Sequence, residues 1–97
     1  MAISVVVRRE DGGEVDRARL DLNVADLPRW AATLPMLAWV DAYGLTIFNA
    51  AQSRVLKAQI LAASPENDEE GAFLSELARL CEVEEARPHR YLWFIGD

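Results

Sequence analysis

The chain has one cysteine, one histidine and one lysine. A single cysteine excludes an intramolecular disulfide framework. Cys81 and His89 together fall short of the about four Cys, His or acidic ligands that a structural zinc ion takes. No window approaches the ~20 consecutive apolar residues of a membrane span, so no membrane association is expected. In Met1–Glu10 a short apolar run is followed, rather than preceded, by arginines, the reverse of a secretory signal. These absences point to a cytoplasmic protein. No repeat at solenoid period and no low-complexity tract is present. Gly12-Gly13 is too short for a phosphate-cradling loop, and no Lys-Ser/Thr pair follows it.

The residues that are present are well suited to a core. Of 97 residues, 52% are hydrophobic and 27% charged, which fits one globular domain spanning 1–97. The net charge of −6 is uneven: residues 64–86 carry eight acids and one arginine, and the remainder is near neutral. Affinity for phosphate backbones needs clustered cations, and none are clustered here, so nucleic acid is not an expected partner.

The chain is organised around residues 36–52. Met36–Val40 is an apolar run of strand length, Asp41–Gly44 carries turn chemistry, and Leu45–Phe48 is rich in β-branched and aromatic residues. The pattern predicts a central β-hairpin covered on both faces. Asn49 with Gln52 predicts a capping box opening a helix over residues 50–63, with Val55, Leu56, Ile60 and Ala63 on a wide apolar face. Before it, residues 3–8 read as a strand, Asp11–Glu14 as a turn, and 15–22 as an alternating edge strand. Asp26-Leu27-Pro28 predicts a short helix ending before Pro35. After it, a second long helix starts at Ser64-Pro65 or Asn67 and carries Phe73, Leu74, Leu77, Leu80 and Cys81 toward the core. Arg90–Ile95 reads as an interior strand. The fold class is α+β. The expected architecture is an antiparallel or mixed five-stranded sheet with two main helices on one face, in the order β-β-(short α)-β-β-α-α-β.

Two stretches carry a resemblance. Tyr43-Gly44-x-Thr46-x-Phe48-Asn49-x-x-Gln52 and Pro88-His89-x-Tyr91-Leu92-x-Phe94-x-Gly96-Asp97 look like those of small uncharacterised bacterial proteins. The resemblance implies a bacterial origin and a shared fold, and it carries over no catalytic residues.

No residue set matches a catalytic constellation, and no cofactor is expected. Cys81 lies on an apolar helical stripe beside Glu82 and Glu84, the opposite of the cationic setting that activates a thiol. His89 follows Pro88 at a helix-to-strand junction and reads as a packing or capping residue. Asn67–Glu70 is a helix start without the spaced ligands of a calcium loop. The densest polar group is Asp41, Tyr43, Thr46, Asn49 and Gln52, which either lines a groove or simply builds a turn and a cap. Of the tryptophans, Trp39 and Trp93 are expected in the core, and Trp30 partly exposed and available to another chain. The leading expectation is a non-enzymatic protein-interaction module, immunity- or adaptor-like, presenting Glu76, Glu82 and Glu85 to a basic partner. The alternatives are a homodimeric subunit associating through a sheet edge or Trp30, and a small-molecule binder with its pocket at Asp41, Tyr43, Asn49 and Gln52.

Overall fold

The computed structural model describes residues 2–96; Met1 and Asp97, the last position of the C-terminal stretch, lie outside them. The architecture is α+β, with an antiparallel sheet of five strands and the two long helices on one face. The strands are β1 (Ala2–Arg9), β2 (Glu14–Arg17), β3 (Leu22–Asn23), β4 (Leu45–Phe48) and β5 (Arg90–Ile95). The helices are α1 (Leu27–Thr33), α2 (Ala50–Ala62) and α3 (Asp68–Glu85). The strand order is β2-β1-β5-β4, and β3 pairs with β1 further along the edge that β2 also uses.

Side-chain alternation divides the sheet into two unlike faces. Ile3, Val5, Val7, Phe48, Leu92 and Phe94 point into the core beneath α2 and α3 and are fully buried. Phe48 and Phe94 meet there with ring centroids 5.1 Å apart. The other face carries Val6, Trp93 and Ile47 in one paired row and Ile95 with Leu45 in the next. Arg8 lies over the Trp93 ring at 4.7 Å.

Three expectations are corrected. The predicted strand Met36–Val40 is instead a 3-10 helix, Pro35–Trp39, so no hairpin joins it to β4. Pro35 sits in its first turn, where a missing N–H costs nothing, and Met, Leu and Ala favour helix over strand. Leu34, Leu37 and Val40 recur every three residues, the 3-10 period, and all three are buried. Second, the hairpin's surviving half is not central: β4 is an edge strand, bonded to β5 alone. Third, the edge strand predicted over 15–22 is split in two. Between the Ile3–Leu22 and Val6–Arg17 pairs the outer chain loops out two extra residues, and Arg19 N–H turns aside to donate to Glu76 at 2.7 Å.

The tryptophans change places as a result. Trp30 is only 5% exposed, its ring 4.9 Å from that of Phe73. Trp39 lies on the outward side of the 3-10 helix and is 76% exposed. Trp93 is half-buried on the open face.

Candidate functional site

The polar group of the central stretch is assembled by local chemistry. Asp41 Oδ1 accepts from the Tyr43 N–H at 2.9 Å, and the Asp41 N–H donates to Thr46 Oγ1 at 2.8 Å. The Asn49 side chain accepts from the Gln52 N–H, and the Gln52 side chain accepts from the Asn49 N–H, each at 2.9 Å. This is the expected capping box on α2. Asp41, Asn49 and Gln52 therefore build a turn and a cap, and Tyr43 stands exposed beside them. Neither of the two best-formed concavities includes them. One is an open cleft of about 420 Å³ lined by residues of β3, α1 and the start of α3, including Trp30, Arg29 and Glu70. Within it Arg29 pairs with both Glu70 and Asp26. The other is a shallow dish of about 360 Å³ around Arg9, Pro88 and His89.

Cys81 and His89 lie in unlike settings. Cys81 is buried in the core, and burial, reinforced by Glu84, pushes its thiol up to about 12. His89 occupies the left-handed region at φ 63°, its carbonyl accepting from the Glu10 N–H and its ring 3.1 Å from the Glu10 carboxylate. Among the described residues no group of three His, Cys, Asp or Glu side chains is placed to hold a metal ion. Among the described residues Glu84 is the one acid in the core, 1% exposed at the α2–α3 contact. Burial pushes its carboxyl up, and the Glu85 charge adds to that shift. Neither Glu84 Oε2 nor the Ser53 hydroxyl has a hydrogen-bond partner.

The acidic face of α3 is largely spent inside the molecule. Glu76 accepts from Arg79 at 2.9 Å and 3.1 Å and from the Arg19 N–H. Arg79 also bonds Asp16 at 2.7 Å and the Arg17 carbonyl at 3.0 Å, tying β2 to α3. The Arg79 guanidinium holds the Glu76 carboxyl down at about 2. Glu85 accepts from Lys57 of α2 at 2.5 Å, and Glu82 stands 3.8 Å from the same ammonium. Glu76, Glu82 and Glu85 are thus two separate ties between elements rather than one free surface.

No protein-family model matches the chain. No curated protein matches it either. The site therefore rests on geometry alone.

That geometry is apolar. Large hydrophobic side chains left exposed are Leu20, Trp39, Tyr43, Leu45, Ile47, Val55 and Leu61, and all but Leu20 fall within residues 39–61. Leu45 and Ile47 are 51% and 43% exposed on the open face of β4. On α2, Ser53, Leu56 and Ile60 are buried, and Lys57 reaches toward α3. Val55 lies two residues from Lys57, about 200° around the helix, and so faces away from α3. Ala51, Val55, Ala58 and Ala62 recur at four-three-four spacing along one exposed line. Gln59 turns to the 3-10 helix on that side, accepting from the Met36 N–H at 2.9 Å. That line lies on the outer side of α2, opposite the buried Ser53, Leu56 and Ile60, while Leu45 and Ile47 stand exposed on the open face of β4. The sequence signal for this was the apolar character of α2 almost all the way round, which one sheet cannot bury.

Proposed function

We propose that this chain is a non-enzymatic protein-interaction subunit that docks through the surface formed by Trp39, the Tyr43 turn, β4 and the outer line of α2. The observation that carries the reading is that, among the described residues, six of the seven exposed large apolar side chains, all but Leu20, fall within residues 39–61. Scattered exposed leucines need no explanation, but a set gathered on one edge marks a contact site. The two edges of the sheet support the same reading by contrast. β2 carries Glu14, Asp16 and Arg17 and opposes an irregularity between Val7 and Arg8, both devices that discourage pairing. β4, Leu-Thr-Ile-Phe, has neither a charge nor a proline. The acidic-face version of the interaction is disfavoured, because removing Glu76 or Glu85 from its internal partner would precede any new contact.

The test compares capture of partners from host lysate by the native chain and by Trp39→Arg and Glu82→Lys variants, with circular dichroism confirming that each folds. Loss of a stoichiometric partner with Trp39→Arg and retention with Glu82→Lys is the expected outcome. The reverse pattern would return the binding surface to the acidic helix and sink the present reading.

A further inference from the structure

We infer that the partner at this surface is a second copy of the chain, joined by antiparallel pairing of β4 with the partner's β4 about a two-fold axis at Thr46. The inference rests on the docking reading above and adds the occupant and the register.

The first argument is the direction of the backbone amides. In an antiparallel ladder, successive residues turn their N–H and C=O alternately toward opposite neighbours. Gly44 accepts from Gly96 N–H at 2.7 Å, and Thr46 and Phe48 share its phase opposite Phe94 and Leu92. Leu45 and Ile47 therefore turn their amides and carbonyls outward, away from β5. These two residues lie symmetrically about Thr46. A two-fold axis there sets Leu45 opposite the partner's Ile47, and Ile47 opposite the partner's Leu45, so each pair exchanges N–H···O bonds. An isologous contact needs a self-complementary patch of this kind. On the open face the same register brings Leu45 and Ile47 against the partner's Ile47 and Leu45, an apolar cross-strand cluster.

Charge selects the same occupant. Residues 34–63 contain only Asp41, Arg54 and Lys57, whereas the chain as a whole carries −6. A second copy would meet the surface with its own least charged segment, keeping the two acidic α3 helices away from the axis. A basic partner would find no counter-charge there. Area is consistent as well. Trp39, Tyr43, Leu45 and Ile47 present on the order of 500 Å² of side chain, and the strand backbone adds to it, against about 800 Å² per partner in a standard interface. That predicts a reversible dimer rather than an obligate one.

The experiment is sedimentation velocity from low micromolar to near-millimolar concentration, with amide hydrogen exchange on the same samples. The native chain should double in mass as concentration rises. The Leu45 and Ile47 amides should become protected along the same curve, while those of Thr46 and Phe48 are protected throughout. Ile47→Pro removes an outward N–H that the monomer does not use, a position where an edge strand tolerates proline. Leu45→Lys leaves the backbone intact and places a charge at the contact. Each should weaken association by at least about tenfold. A chain monomeric throughout the range overturns the inference, as does a dimer whose Leu45 and Ile47 amides exchange freely. If the chain is monomeric yet Trp39→Arg still abolishes lysate capture, the docking reading stands with a different occupant. If capture also survives that variant, both fall.

Discussion

Two glutamates on α3, Glu76 and Glu84, have opposite electrostatic fates, and each has a measurable consequence. Glu84 is buried without a full set of partners, and burial raises its pKa above the ordinary 4.5. The folded chain then holds a proton that the unfolded chain releases. Its contribution to stability is greatest below pH 4.5 and falls as pH rises through the raised value. Glu84→Gln removes that dependence. We expect the variant to melt at a higher temperature than the native chain at neutral pH, the gap closing in acid. Parallel melting curves across pH would show that Glu84 is not protonated by burial. Glu76 behaves in the usual carboxylate sense. Held at about 2 by Arg79, it contributes stability above 4.5 that is lost as pH falls toward 2. Glu76→Gln should cost about 1.5–3 kcal/mol at neutral pH, read by urea denaturation. It should also flatten the acid limb of the stability profile.

At the scale of elements, the decisive piece is the turn that opens β4. Gly96, at the end of β5, packs against the backbone of Asp41 and Ala42 so closely that a Cβ there would collide with the Ala42 carbonyl. Its N–H closes the ladder on Gly44. The stretches 43–52 and 88–96 are therefore neighbours in space, paired from Leu45–Ile95 to Phe48–Leu92. Gly96 is required by that contact, whereas a Cβ on Gly44 would meet the Asp41 carboxylate within its own turn. Gly96→Ala should destabilise the fold by about 1–3 kcal/mol through overpacking. It should also speed exchange of the Gly44 and Thr46 amides before those of β1, a local signature that general destabilisation would not give. The capping box at Asn49 was legible because it involves residues three apart, and local chemistry of that range survives whatever the tertiary context.

At the scale of the whole molecule, the missed features share one cause. The apolar run Met36–Val40 met the criteria for a strand, but Pro35 opens a helical turn there, and the three-residue spacing of Leu34, Leu37 and Val40 buries them as a 3-10 helix instead. Trp39 was thereby turned outward and Trp30, on the shorter helix, was drawn under α3 against Phe73. Likewise, the acids of α3 read as a free face because Arg19 and Lys57 come from distant elements, and Arg79, on α3 itself, is tied across to Asp16 of β2. Among the described residues no helix is long and apolar enough to cross a membrane, in line with the lack of long apolar runs.

The sequence by itself determined the α+β class, the two long helices, the cap at Asn49 and the buried stripe of α3, because each depends on periodicity or on residues within one turn, while the start of α3 stayed open between Ser64-Pro65 and Asn67 until the fold settled it on Asn67. Only the tertiary structure decided that β4 lies at the edge, which tryptophan is exposed, and which charges are already paired. Those depend on which elements become neighbours, and a one-dimensional pattern of apolar residues records that a surface must be buried without recording what buries it.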